Sequence, residues 1–226
     1  MPTRRDFLKG LLGAAAMAAA PPRPDLRVLQ IGIRLPEGSS LQQGASLAMS
    51  EAKRTADLLR VVLRWGATSG EVMIGHAAPA QEPPVPFLVA GVPEVILKPP
   101  RPRIFRVASS PRVRQQVLAR QKRKDLRVVD WHPDLERFGA EQLNERFRRR
   151  FGQPMDEGAW HGWMAVKIAT ELALQIPPGA SRTLISALET SIFDGHKGDQ
   201  LRFGGDHYLD QPVYLVDARG RLVGEG

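Results

Sequence analysis

The sequence contains no cysteine among its 226 residues. Disulfide bonds, thiolate metal ligands and a cysteine nucleophile are therefore excluded. Aromatic residues make up only 6%. Beyond the N-terminal segment there is no apolar run of about 20 residues, the length that a helix needs to cross a bilayer. We expect a mature chain that is not transmembrane and that is long enough to build a core without covalent cross-links.

The chain also lacks the patterns that mark most enzyme and metal sites. Its five histidines include no pair at i,i+4, which is the spacing of a helical zinc site. No Gly-x-Ser-x-Gly elbow, phosphate loop or dinucleotide fingerprint occurs. An Asp-His pair at Asp130 and His132, and a metal site formed by His196, Asp206 and His207, are the weak alternatives. The sequence therefore predicts no catalytic residue, metal or cofactor, and a protein that is not an enzyme.

The N-terminus has the composition of an export signal. A paired-arginine segment precedes a weakly apolar stretch at residues 11–20, which is too short to span a bilayer. Ala16 and Ala18 offer the small residues that a signal peptidase reads, so we expect cleavage after Ala18. The residues that carry the signal are Arg4, Arg5, Phe7, Leu8 and Lys9. The pattern predicts twin-arginine export of a folded protein to the periplasm; an amphipathic helix and an uncleaved anchor are the alternatives.

Basic residues outnumber acidic ones, 32 to 24, which gives a formal net charge of +8 for the whole chain. The excess is concentrated in two runs, Arg112–Arg127 and Arg146–Arg150. Export makes nucleic acid an unsuitable partner, and the runs lack the interleaved aromatic side chains that bind single strands. We expect either solvated helix faces or a surface for an acidic periplasmic protein, an anionic lipid or a polycarboxylate.

The first part of the mature chain alternates between strand and helix patterns. Arg27–Ile33 and Leu59–Trp65 are rich in branched apolar residues, and Leu41–Arg54 between them has helical periodicity. This order predicts a parallel sheet with crossover helices. Further strands are predicted at Glu71–Ile74, Pro83–Val89, Ile104–Ala108, Arg127–Trp131, Leu201–Phe203, Pro212–Val216 and Arg221–Val223. The proline-rich stretch Pro79–Pro102 interrupts what should be sheet.

Four helices are expected in the second part. Their predicted ranges are Arg112–Lys124, Pro133–Phe151, Asp156–Gln175 and Arg182–Ser191. Asp156 is placed to cap the third of them. Trp160 and Trp163 fall on its wide apolar arc, which indicates core packing rather than a stacking platform.

Ligand contacts are expected at the carboxyl ends of parallel strands. The candidate ligand-binding residues are Ser39, Ser40, Gln42, Gly75, His76 and Ser109. Hydroxyl groups and helix N-terminal amides at such positions could bind a carboxylate. The alternative is structural: Ser39 or Ser40 caps a helix, Gly75 and His76 form a turn, and Ser109 or Ser110 caps the following helix.

The order of these segments resembles the type I periplasmic solute-binding proteins, in the branched-chain amino-acid-binding branch. The resemblance is carried by Val28–Pro36 with Gly44–Ala52, by Ile104–Ser110 and by Phe193–Gly198 with Gln211–Val216. It implies an α/β fold with a parallel sheet, and a substrate-binding component of an ABC-type transport system for an amino acid or small organic anion. Complete members are longer, so the second lobe is expected to be reduced.

These observations together divide the chain. The export pattern assigns residues 1–18 to a signal peptide and the proline content assigns residues 19–24 to a spacer, whereas the resemblance assigns residues 25–226 to the binding-protein domain. Within the domain, residues 25–110 form the first lobe, and residues 111–226 form the reduced second lobe with the closing strands.

A closer similarity links the chain to the binding proteins encoded beside quinoprotein (PQQ-dependent) alcohol dehydrogenases. Trp131–Ala140, Gly152–Met155 and Trp160–Lys167 carry it. It implies a connection with such a dehydrogenase system. The alternative function is a non-transport accessory protein that docks on a periplasmic quinoprotein dehydrogenase or its cytochrome.

Overall fold

The computed structural model describes residues 27–91, 101–176, 180–198 and 200–226. A five-stranded, fully parallel sheet in the order β2-β1-β3-β4-β5 organises the first part of the chain. Its strands are β1 (Arg27–Arg34), β2 (Val61–Gly66), β3 (Val72–Gly75), β4 (Phe87–Val89) and β5 (Ile104–Arg106). The predicted parallel sheet is confirmed.

Five helices are described, and two of them cover one face of this sheet. They are α1 (Ser40–Leu58), α2 (Pro111–Ala119), α3 (Ala140–Phe151), α4 (Glu157–Gln175) and α5 (Ser181–Thr190). Alternation along β1 directs Leu29 and Ile31 into the core beneath α1 and α4. A Cβ on Gly44 of α1 would overlap the carbonyl oxygen of Ala159 in α4. The two helices therefore cross in backbone contact, which only glycine permits.

The opposite face of the sheet is open at β1 and β2. Val28 and Val62 are 39% and 36% exposed there, although parallel sheets are usually covered on both faces. Crossover helices were predicted, but of the connections described only the one from β1 to β2 contains a helix. Residues 67–71 join β2 to β3, and residues 76–86 join β3 to β4, in both cases without a helix. These two connections therefore place no helix over β1 and β2.

The proline-rich stretch Pro79–Pro102 does not interrupt the sheet, contrary to expectation. Strand β4 lies within it and pairs on both sides, with β3 and with β5. The carbonyl oxygen of Pro86 accepts a hydrogen bond from the backbone N–H of Met73. Pro86 directly precedes β4, where its missing N–H removes no hydrogen bond between the strands. Residues 92–100 of this stretch lie outside the described residues.

A second, smaller unit follows. An antiparallel sheet has the strand order β10-β9-β6, and a two-stranded hairpin pairs β7 with β8. These strands are β6 (Arg127–Val129), β7 (Arg202–Phe203), β8 (Leu209–Asp210), β9 (Tyr214–Val216) and β10 (Leu222–Glu225). Val117 of α2 packs with Val128, Val213 and Leu215 in a separate apolar cluster. The side chains of α3, α4 and α5 belong instead to the large core that includes Leu29.

Helix boundaries follow local backbone chemistry. Asp156 caps α4 as predicted, because its Oδ1 accepts the N–H of Ala159 at 2.7 Å. Helix α3 begins at Ala140 rather than Pro133, since Phe138 and Gly139 adopt left-handed conformations with φ of 57° and 84°. Helix α2 ends at Ala119, short of the predicted Lys124. None of the described helices is long and apolar enough to cross a membrane.

Candidate functional site

The strand order reverses between β1 and β3, because the chain leaves β1 for β2 on one side and returns to β3 on the other. Connections at such a switch point diverge and leave a crevice outside the carboxyl ends of the strands, which is where open α/β sheets bind ligands. Four of the six predicted ligand residues lie on the two connections that flank this crevice, and a fifth, Gly75, is the last residue of β3. The four are Ser39, Ser40, Gln42 and His76.

Two of these side chains form the start of α1. The Oγ of Ser39 accepts the N–H of Gln42 at 3.2 Å and donates to the carbonyl oxygen of Pro36 at 2.6 Å. The Oε1 of Gln42 accepts the N–H of Gly38 at 2.8 Å. Ser39 is therefore the N-cap, as the structural alternative expected. Its role toward a ligand stays a prediction.

The other three differ in what surrounds them. Ser40 faces the start of α4, where a Cβ on Gly158 would lie 2.6 Å from its Oγ. A Cβ on Gly75 would lie 2.5 Å from the ring of Phe87, so that ring fills the space above Gly75. His76 is exposed at the beginning of the loop after β3. Of these three residues, His76 is the one that is exposed to solvent at the crevice.

Ser109 lies apart from the crevice, in the buried junction between the two sheets. Its Oγ donates to Oδ1 of Asp130 at 2.5 Å, and its backbone N–H donates to Oδ2 at 2.9 Å. Ser110, not Ser109, caps α2 by accepting the N–H of Val113. Ser109 thus orients a carboxylate of the protein itself.

Asp130 is the centre of a charge network that the sequence did not reveal. Its Oδ2 lies 2.8 Å from Nε2 of His161 and 2.6 Å from Nη2 of Arg114. The same Nη2 lies 2.6 Å from Oε1 of Glu157, which also accepts the N–H of Asp130. Burial alone would raise the pKa of Asp130, but the hydrogen bond and charge of His161, with the charges of Lys197 and Arg114, hold it well below its usual range.

This network has the spacing of a metal site but contains its own cation. One ligand atom each from Asp130, Glu157 and His161 lies within 4.8 Å of the others. The guanidinium of Arg114 bridges both carboxylates, so part of their negative charge is already compensated. The Asp130–His132 pair considered from the sequence is wrong, because Nε2 of His132 contacts the carbonyl oxygen of Gly220.

The structure also does not support the alternative metal site of His196, Asp206 and His207. Nδ1 of His196 contacts the carbonyl oxygen of Phe138, whereas Nδ1 of His207 contacts that of Ile104. The histidines therefore serve two different loops. The histidine that does pair with Asp130 is His161, 31 residues away in the sequence. No local pattern could have indicated this pair.

Lys197 is buried next to this network. Its Nζ donates to Oε1 of Gln211 at 2.6 Å and to the carbonyl oxygen of Pro212 at 3.0 Å, and it lies 4.1 Å from the ring centre of Trp160. Burial lowers the pKa of Lys197 to about 7, although the charge of Asp130 opposes the shift. The side chain lines a cavity of about 450 Å³. Other residues lining it include Phe138, His196, Tyr214 and Glu225.

A second cavity, of about 490 Å³, opens at the carboxyl ends of β1 and β2. Its apolar lining comes from Ile33, Met49, Trp65 and Phe151, and Gln42 contributes a polar group. Small-molecule pockets commonly combine an apolar wall with a few polar groups in this way. Gln42 is the predicted ligand residue that lines this cavity.

Comparison with known proteins identifies the N-terminus and the fold. Residues 1–21 match the TAT (twin-arginine translocation) pathway signal sequence, so the chain is exported to the periplasm by that route. No curated protein matches the chain.

Three solved structures illustrate the fold. An ABC transporter substrate-binding protein from Desulfitobacterium hafniense is 15% identical with a TM-score of 0.72, over 88% of this chain and 100% of that one. A leucine-binding protein from Thermotoga maritima is 10% identical (TM-score 0.66, 88% and 98% covered). A solute-binding protein of R. palustris in complex with benzoate is 10% identical (TM-score 0.62, 87% and 95% covered). This chain therefore has the type I periplasmic binding-protein fold.

Proposed function

We propose that the mature chain is a periplasmic substrate-binding component of an ABC-type transport system, with an amino acid or a small organic anion as its ligand. The crevice at the switch point between β1 and β3 carries this proposal. Support comes from the similar structures, which are binding proteins rather than enzymes. Two of them are described as a leucine-binding protein and a complex with benzoate.

The proposed organisation keeps the signal at residues 1–18, the spacer at 19–24 and a lobe boundary near residue 110. Beyond that boundary the chain contributes the antiparallel sheet and α2, while α4 returns to pack on the first sheet and α3 and α5 join the same large core. A clamshell excludes water by closing two comparable lobes on its ligand. Because the second lobe is small here, we expect a shallow, solvent-accessible site and weak binding.

A finer proposal concerns the biological system. The similarity carried by Trp131–Ala140 and the helix from Trp160 supports a link to PQQ-dependent alcohol dehydrogenases. The ligand would then be a small organic acid produced by such a dehydrogenase, or the quinone cofactor itself, which is a polycarboxylate.

The second candidate function is an accessory protein that docks on a periplasmic quinoprotein dehydrogenase or its cytochrome. The open face at β1 and β2 favours it, because Val28, Val62 and the exposed Arg64 present a mixed apolar and basic surface. Purified dehydrogenase should bind the mature protein in surface plasmon resonance, and the affinity should fall as salt screens the charges. Absence of binding at low salt would exclude this candidate.

A thermal-shift screen of residues 19–226 tests the transport proposal. Amino acids, small carboxylates and the quinone cofactor are added separately, and a ligand at 100 times its Kd should stabilise the native state by about 2.7 kcal/mol. His76→Ala should reduce the shift without lowering the stability of the free protein, because its side chain is exposed. A screen with no stabilising compound counts against a binding protein. An unchanged shift in His76→Ala counts against the site.

A further inference from the structure

The end of β5 carries a buried guanidinium whose two terminal nitrogens have no hydrogen-bond partner among the residues that the structure describes. Arg106 is the last residue of this strand and only 2% exposed. Within the described part of the chain, neither Nη1 nor Nη2 of its guanidinium has a partner. Register places Arg106 beside Val89 at the carboxyl edge, on the face away from α1 and α4. The edge where ligands approach a parallel sheet thus contains an unsatisfied cation.

Two further donors in this part of the molecule are also unsatisfied. The hydroxyl of Tyr208 and Nη2 of Arg101 are buried and have no partner among the residues that the structure describes. The guanidinium carbon of Arg106 lies 5.1 Å from the ring centre of Tyr208. The backbone holds the two together, since the N–H of Arg106 donates to the carbonyl oxygen of His207 at 2.8 Å. Arg101 is near enough for its charge to lower the pKa of Arg106, after the larger effect of burial.

The acidic groups nearby make no hydrogen bond to Nη1 or Nη2 of Arg106 in the described part of the chain. The charge of Asp206 raises the pKa of Arg106, against the larger effect of burial, but its Oδ1 accepts the backbone N–H of Tyr208 at 3.1 Å. Glu82 pairs with Nε of Arg101 at 3.0 Å. A buried guanidinium is unfavourable unless an acceptor satisfies it. Water can accept its hydrogen bonds but cannot neutralise its charge. A planar carboxylate or a tetrahedral oxyanion does both, through two parallel N–H···O bonds.

We propose that Arg106, with Tyr208 and Arg101, forms a binding site for a small oxyanion, either a carboxylate or inorganic phosphate. The guanidinium of Arg106 donates to two oxygens, and the Tyr208 hydroxyl and Arg101 Nη2 add further donors. Because the site is shielded from water, these charge-assisted bonds are stronger than on the surface. The site does not depend on the proposed transport function, since β4 and β3 separate it from the crevice between β1 and β3.

The test measures the Tm of residues 19–226 in sodium acetate, sodium phosphate and sodium chloride at equal ionic strength. We expect a Tm several degrees higher in acetate or in phosphate than in chloride, and the better of the two identifies the class of anion. Arg106→Gln should abolish this increment while leaving the Tm in chloride unchanged or raised, because it removes an unpaired buried charge. Isothermal titration of the wild-type protein with the better anion should show saturable binding that Arg106→Gln lacks.

Arg64→Gln is the matched control, since Arg64 is an exposed arginine on the same face of the same sheet; it should keep the full increment. If Arg106→Gln does not fold, Tyr208→Phe and Arg101→Gln should each reduce the increment. The proposal is overturned if wild-type protein has the same Tm in all three salts. It is also overturned if Arg106→Gln is less stable in chloride but keeps the increment, because Arg106 would then be only structural.

Discussion

The five-stranded parallel sheet and the three-stranded antiparallel sheet are stabilised in different ways. The parallel sheet lies on a large apolar core that α1 and α4 close by backbone contact at Gly44. The antiparallel sheet has two small clusters, one of four buried side chains shared with α2 and one of three formed by Val129, Tyr214 and Val216. Between the two sheets lie buried charges, centred on Asp130. We therefore expect the position of the antiparallel sheet to depend on the charged junction more than that of the parallel sheet does.

The largest effect should come from breaking the junction. Asp130→Asn leaves Arg114 with one carboxylate instead of two and removes the charge that pairs with His161. Breaking a buried ion pair on one side costs about 3–5 kcal/mol. Urea unfolding should show this loss at pH 7. Asp134→Asn, at an exposed carboxylate, is the control and should remain within about 0.5 kcal/mol of wild type.

Lowering the pH should remove the same charge by protonating Asp130. The pKa of Asp130 is depressed in the folded state, so its stabilisation is present above the ordinary aspartate pKa of about 3.9 and is lost as the pH falls toward the folded value. The difference in stability between wild type and Asp130→Asn should therefore narrow below about pH 4. A difference that stays constant down to pH 2 would contradict the assignment.

The next largest loss of stability is expected from a glycine substitution beside the parallel sheet, compared with one in the antiparallel sheet. Gly44→Ala places a Cβ on the carbonyl oxygen of Ala159 and must push α1 and α4 apart, at a cost of about 3 kcal/mol. Gly224→Ala in β10 meets no atom within 4 Å and should be nearly neutral. Urea denaturation followed by circular dichroism measures both. Equal midpoints for the two variants would show that the helices do not depend on close contact.

A smaller effect depends on the buried amine of Lys197. Its pKa is about 7 in the folded protein and about 10.4 in an unfolded chain. Between these values the unfolded state binds more protons, so the free energy of unfolding should rise with pH, by at most about 1.4 kcal/mol per unit. Unfolding from pH 7 to 9.5 should show this slope in wild type. Lys197→Met should lose it, and the exposed Lys122→Met should keep it.

The smallest effect compares the two helix caps. Ser39→Ala removes the cap of α1, and Ser110→Ala removes that of α2, each at a cost of about 1 kcal/mol. If the two units unfold together, both variants should shift one common transition. If Ser110→Ala instead produces a separate early transition in thermal unfolding, the smaller unit unfolds independently. Ser39→Ala should also leave any ligand-induced Tm shift unchanged if that serine is only a cap.

Much of the fold was predictable because its signals are local. The export signal, the alternation in β1, the caps at Ser39 and Asp156 and the apolar arc of α4 each depend on residues within a few positions of one another. The strand predicted at Pro83–Val89 is present as β4, but its pairing on both sides within the proline-rich stretch and the missing crossover helices were not predicted. The missing helices reflect short connections between neighbouring strands. The pairing of β4 depends on which of its backbone groups face the strands on either side.

The order of residues along the chain was enough to predict the export route, the lack of cysteine chemistry, the parallel sheet and the connections beside a ligand crevice. It could not predict that Ser109 and His161 hold Asp130 or that Lys197 is buried. Nor could it predict that Nη1 and Nη2 of Arg106 have no partner among the described residues. The free energy of a charge depends on its neighbours and on its loss of water, and both are set by segments far apart in the chain. The local sequence pattern determines which face of a helix or strand a side chain lies on, whereas packing determines which groups that side chain contacts.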